Sequence, residues 1–204
     1  MPVLIALIAL AAVGDWVAVR RRFKPLEYVC KPAVMALLIV VALRVHEHGP
    51  HRRGWFVAAL ALSLVGDVFL MLPGDRFVPG LAAFLLAHLA YIAGFWVEGV
   101  SAARLLAGGE VVVLMGVLLG LRIVRDVPAN LRPPVVAYML VISVMTASAL
   151  GTGNWLAAVG AVLFFASDAT IAWDRFVSEQ PFAPLFIIVT YHVAQAALVA
   201  SLTR

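Results

Sequence analysis

Eight apolar stretches, each close to the length of a bilayer crossing, divide this sequence almost end to end: 2–19, 28–45, 54–72, 77–97, 105–124, 134–150, 154–173 and 182–202. About 20 apolar residues carry an α-helix across the hydrocarbon core. What remains between the stretches is too short for a separate water-soluble domain. Charge leads to the same answer. Asp, Glu, Lys and Arg make up 13% of the 204 residues, whereas a soluble domain carries about 25%. The expected fold is all-α, a polytopic transmembrane helical bundle of about eight spans, forming one domain over residues 1–204.

The run 2–19 has no basic residues before it, and Arg20, Arg21 and Arg22 follow it, the pattern of a retained first span and not of a cleaved signal peptide. In the second stretch Lys31 and Pro32 interrupt the apolar run. Proline is tolerated near a helix start, and a lysine there can snorkel to the interface. Cys30 is the sole cysteine, so no disulfide can form within the chain.

The net charge of +4 falls in the gaps between spans, where it reads as a topology signal and not as a nucleic-acid footprint. Ten Lys and Arg (Arg20, Arg21, Arg22, Lys24, Lys31, Arg76, Arg122, Arg125, Arg132, Arg175) fall after spans one, three, five and seven; Arg44, Arg52, Arg53, Arg104 and Arg204 fall on the other side. For a bacterial inner membrane, the positive-inside rule puts both termini outside the cytoplasm.

A repeat is legible. Leu64-Val65-Gly66-Asp67, then Asp75-Arg76-Phe77-Val78, precede a helix carrying His88 and Tyr91; Phe165-Ala166-Ser167-Asp168, then Asp174-Arg175-Phe176-Val177, precede a helix carrying Tyr191 and His192. Four spans per half keep both halves in one orientation, which suggests a parallel duplication with halves 1–104 and 105–204.

Charge inside a bilayer is costly, at least about 2.5–3.5 kcal/mol for an aspartate at mid-helix, so intramembrane acids are functional candidates. Asp67 and Asp168 each lie five residues before the end of their span, ~8 Å inside the boundary. Two acids at one level can divide their protonation states, one neutral and one charged. The plainer reading is that they cap neighbouring helices or pair with Arg76 and Arg175. His88 and Tyr91 share a helix face, as do His192 with Gln195 and Tyr191 with Gln195. Asp15, near the end of span one, is expected to answer Arg20 or Lys31.

Mixed His and carboxylate sets can hold zinc. His88 and His192, however, lie eleven and ten residues into their spans, ~15 Å deep against ~8 Å for the acids, so no metal is expected. Walker, G-x-S-x-G, H-E-x-x-H and CxxC motifs are absent, which removes the familiar soluble hydrolase and nucleotide-binding routes.

The segment Gly66-Asp67-Val68-Phe69-Leu70-Met71-Leu72-Pro73, followed by Gly80-Leu81, Phe84, His88 and Tyr91, resembles the first signature of the YhhN (lysoplasmalogenase) membrane family. Gly160-Ala161, Leu163-Phe164, Ser167-Asp168 and Arg175-Phe176 resemble its second. Lys31-Pro32 and Thr190-Tyr191 with Ala194-Gln195 complete the pattern across the chain. The resemblance implies eight spans and hydrolysis of the vinyl ether bond of a lysophospholipid (a lysoplasmalogen) in the bilayer, without a cofactor. It implies Asp67 and Asp168 as the essential acids, with Lys31, His88, Tyr91, Ser167, Tyr191 and Gln195 around the substrate. His192 stands where the family has an ordinary residue and receives no role. The chemistry suits the residues: protonation of the outer vinyl carbon leaves an oxocarbenium ion that water captures, a task for one neutral acid and one carboxylate. Lys31, Arg76 and Arg175 are placed to hold the phosphate. A proton-coupled transporter using the same acids is the competing class.

Overall fold

The computed structural model describes residues 1–45 and 51–203; residues 46–50, and Arg204 of the charge count, lie outside the described residues. Each expected span is one helix: α1 (Pro2–Arg20), α2 (Lys24–Arg44), α3 (Arg52–Met71), α4 (Phe77–Glu98), α5 (Ala102–Asp126), α6 (Arg132–Thr152), α7 (Trp155–Phe176) and α8 (Ala183–Ser201). All eight are long and apolar enough to cross a membrane. In hydrocarbon a helix satisfies its own backbone, so such sequences have few alternatives.

The molecule is inside-out relative to a soluble protein. Leu10 and Leu106 are 71% and 68% exposed, while Asp15, Asp67, His88, His192 and Gln195 are buried. The helices pack in chain order from α1 to α4; α6 then joins α4 to α7, and α8 returns against α1 and α2, with α5 outside against α6. Two interfaces are the most extensive, α3 with α4 and α7 with α8. Both use missing side chains. A Cβ at Gly80 would meet Leu70 Cδ2 at 2.7 Å, and one at Gly160 would lie 3.0 Å from the Ala194 carbonyl oxygen. Small residues let helix backbones approach where no hydrophobic effect drives them together. Asn154 caps α7, its side chain accepting from the Leu156 and Ala157 N–H groups.

Helix ends shift from expectation by up to four residues, and two of the shifts bear on the site. Helix α2 begins at Lys24 and runs through Pro32, which has no N–H to offer the Tyr28 carbonyl. Helix α7 continues three residues past 173, to Phe176. Asp174 and Arg175 read as loop punctuation, but Phe176 packs edge-on against Phe77 (5.6 Å between ring centroids) and Arg175 lies 4.1 Å over the same ring. Tertiary contact keeps that last turn helical.

Candidate active site

Asp67 sits one turn before the end of α3 and is 3% exposed. Its Oδ2 accepts a 2.6 Å hydrogen bond from the Tyr191 hydroxyl of α8, which also lies 3.4 Å from Met35 Sδ of α2. Lys31, half-buried on α2, stands within electrostatic range of Asp67. A hydrogen bond to a charged group contributes about 1.5–3 kcal/mol, so Tyr191 both orients this carboxylate and offsets part of its desolvation. Ser63 lies one turn earlier, buried, its Oγ without a protein hydrogen-bond partner.

Asp168 on α7 is met by different helices. Tyr138 of α6 donates its hydroxyl proton to Asp168 Oδ2. His88 Nε2 of α4 lies 3.8 Å from the same oxygen. His88 Nδ1 is 2.6 Å from the Phe84 carbonyl, which can only accept, so Nδ1 carries a proton. The Asp168 side chain, 11% exposed, stands in the wall of a narrow cavity of about 60 Å³ between α3, α4, α5, α6 and α7. Apart from Asp168, Tyr138 and Ser143, its lining is apolar, including Leu81, Leu119, Ile123, Val135 and Phe165. Aromatic rings join the two acids: His88 packs on Phe164 (4.7 Å between centroids), and Phe164 packs on Tyr191 (5.4 Å).

The proximity of His88 and Asp168 corrects the depth argument made from sequence. With α7 extended to Phe176, Asp168 is eight residues, not five, from its helix end, ~12 Å in. His88 is eleven residues into α4, ~16 Å, and side-chain reach closes the rest. Among the described residues, no three His, Cys, Asp or Glu side chains converge as a metal-ligand set.

The other sequence candidates divide. Tyr91 donates to Gln195 Oε1 at 2.5 Å, joining α4 to α8 in the core, and Ser167 donates to the Ile187 carbonyl, tying α7 to α8. Arg175 pairs with neither intramembrane acid. Its Nη2 donates to both carboxylate oxygens of Asp75 in the α3–α4 loop, at 2.8 and 3.0 Å. The Phe77 N–H, with that guanidinium, holds the Asp75 carboxyl below the usual carboxylate range.

Sequence reasoning passed over Tyr138, which stands in an apolar run with no motif around it. It also underrated Asp15 and His192. Asp15 is fully buried and reaches not an interface arginine but the α8 histidine, its Oδ2 3.6 Å from His192 Nε2. Lys31 is in range of Asp15 too, the part of the expectation that stands. The Trp16 indole N–H donates to His192 Nδ1 at 3.1 Å. That histidine is 177 positions from Asp15 in the sequence.

An integral multi-pass helical bundle that encloses two carboxylates, each clasped by a tyrosine from another helix, defines a polytopic membrane protein with a pair of intramembrane acids. A family model described as the YhhN family matches residues 26–202, and the chain belongs to that family. It is 34% identical over 178 residues to lysoplasmalogenase TMEM86B of Mus musculus, covering 86% of this chain and 74% of the mouse protein. Identity to the Homo sapiens protein of that name is 37% over 146 residues, 72% of this chain and 62% of the human one. The lysoplasmalogenase of Mycobacterium bovis is 36% identical over 176 residues, 82% of this chain and 67% of that protein. No solved structure matches.

Proposed function

We propose that this protein is a lysoplasmalogenase, a membrane-embedded hydrolase that splits the vinyl ether bond of a lysoplasmalogen into a fatty aldehyde and a glycerophospho-alcohol. The observation that carries this reading is the pair of enclosed carboxylates, Asp67 and Asp168, one of them in the wall of an apolar cavity. A lysolipid has one hydrocarbon chain, and the apolar side chains beside Asp168 suit the hydrocarbon next to its ether. Cleavage needs a proton at the outer vinyl carbon, stabilisation of the oxocarbenium ion, and deprotonation of water. Two carboxyl groups supply these functions. Lys31, His88 and Tyr191 contact or face the acids and complete the site; Tyr91, Ser167 and Gln195 brace the helices that present them.

The test is the product. Purified protein given 1-alkenyl-glycerophosphocholine should release free aldehyde, whereas uptake into vesicles with no bond cleavage would replace the enzyme with a transporter.

Duplication of a four-helix unit, with halves 1–104 and 105–204, accounts for the two acid-bearing helices α3 and α7 each packing most extensively against the helix that follows. The charge count supports a topology with both termini outside the cytoplasm. In a bacterial inner membrane, a periplasm-active reporter fused after the C-terminus should therefore give signal and a cytoplasm-only reporter none. The reverse pattern would put the acids nearer the outer leaflet.

A further inference from the structure

The interior holds two His–Asp pairs of opposite polarity. Because the Trp16 indole can only donate, His192 accepts at Nδ1 and presents N–H at Nε2 toward Asp15, a donor facing an acid. His88 is reversed. Its Nδ1–H is spent on the Phe84 carbonyl, so in the neutral ring Nε2 presents a lone pair, 3.8 Å from Asp168 Oδ2 and with no other hydrogen-bond partner. A bare imidazole nitrogen and a carboxylate would thus set lone pair against lone pair beside a fully buried ring, at an energetic cost. One proton held on the pair, on either partner, removes the conflict.

Asp67 has the opposite surroundings. Tyr191 donates to it at 2.6 Å and the Lys31 ammonium stands in range, with the acids Asp15 and Asp168 farther off. Asp168 is faced by Tyr138 and His88, with Asp67 farther off. One carboxyl group is therefore arranged to share a proton and the other to carry charge.

Resting on the hydrolase reading above, we infer that Asp168 with His88 is the general acid that protonates the vinyl ether, and that Asp67 is the carboxylate that stabilises the cation and takes the proton from water. The cavity agrees with this order. The carbon to be protonated is the one on the hydrocarbon side of the ether, and Asp168 stands in the wall of the apolar cavity.

The cycle closes without an outside proton. Asp168 gives its proton to the outer carbon, whose new C–H bond uses the vinyl π pair, leaving the charge on C1 and its oxygen. Water bonds to C1 and loses a proton to Asp67, giving a hemiacetal. In its collapse, Asp168 takes the hemiacetal hydroxyl proton while the protonated Asp67 gives its proton to the glycerol oxygen as the C–O bond breaks. Aldehyde and alcohol leave, and both acids return to their starting states.

The experiment uses the full chain in lipid nanodiscs, with aldehyde release from 1-alkenyl-glycerophosphocholine followed against pH, and with loss of the alkenyl lipid and formation of the azido ether followed when azide is added. The oxocarbenium ion can be captured by azide, which has no proton to lose. Asp67→Ala should therefore be rescued by azide, forming an azido ether, and Asp168→Ala should not. In kcat/KM, Asp168→Asn should lose the alkaline limb and Asp67→Asn the acidic limb. His88→Asn keeps an N–H donor for the Phe84 carbonyl but removes Nε2, so it should move the alkaline limb alone. A merely structural histidine would lower the whole profile evenly. Azide rescue of Asp168→Ala in place of Asp67→Ala, or exchanged limbs in the Asn variants, overturns the assignment while leaving the hydrolase reading intact. Absence of aldehyde from the unaltered protein removes both.

Discussion

Asp67→Asn and Asp168→Asn should each leave only residual vinyl ether cleavage in a protein that still folds. Asn matches Asp in size and can still meet the Tyr191 or Tyr138 hydroxyl, but it neither donates an acidic proton nor carries charge. General acid–base catalysis contributes about 10²–10⁴-fold, and each single loss should be at least that large. Groups acting as one unit are not additive, so the double variant should be little worse than either single one. Asp75→Asn is the internal control. That side chain is 71% exposed and holds only Arg175 and the Phe77 N–H, so its removal should cost far less activity. Its depressed carboxyl means that the loop clasp is present at neutral pH and lost as pH falls through the acid range. Equal damage at Asp75 would move the chemistry, or headgroup binding, to the loop; a fully active Asp168→Asn protein would end the two-carboxylate mechanism.

The second large effect is expected in stability, at the opposite end of the bundle. Arg52 opens α3 but is 5% exposed. Its guanidinium pairs with Glu98 at 2.8 Å, donates to Ser201 Oγ at 3.0 Å and lies 5.0 Å over the Phe56 ring. One side chain thus joins the ends of α3, α4 and α8. Truncating a partner of a hydrogen-bonded buried ion pair costs about 2–5 kcal/mol. Glu98 retains 28% exposure, which places Arg52→Met near the lower end, about 2 kcal/mol. Thermal unfolding in detergent should show the loss clearly, and Arg104→Met, at an exposed arginine bonded to the Thr152 carbonyl, should show little. An unchanged midpoint for Arg52→Met would mean that the buried pair contributes no more than a surface one, ~0–1 kcal/mol.

What sequence determines here follows from the solvent. A bilayer leaves a long apolar segment no option but a helix, so eight apolar runs specify eight helices, and the cost of charge at depth marks Asp67 and Asp168 without any structure. The charge count divides the loops for the same kind of reason, because it depends on where residues lie along the chain and not on what they touch. Partners are another matter. Nothing in 134–150 singles out Tyr138 until α6 lies beside α7, and Asp15 remains an interface acid until α8 brings His192 to it. Helix α7 gains its last turn only when Phe176 finds Phe77, and that turn is what takes Asp168 to the depth of His88. The orientation of the His88 ring is decided by the Phe84 carbonyl, and the polarity of His192 by an indole from α1. Periodicity and composition fix what each helix is made of; which lone pair faces which acid depends on how helices distant in sequence are packed, and only the tertiary structure decides that.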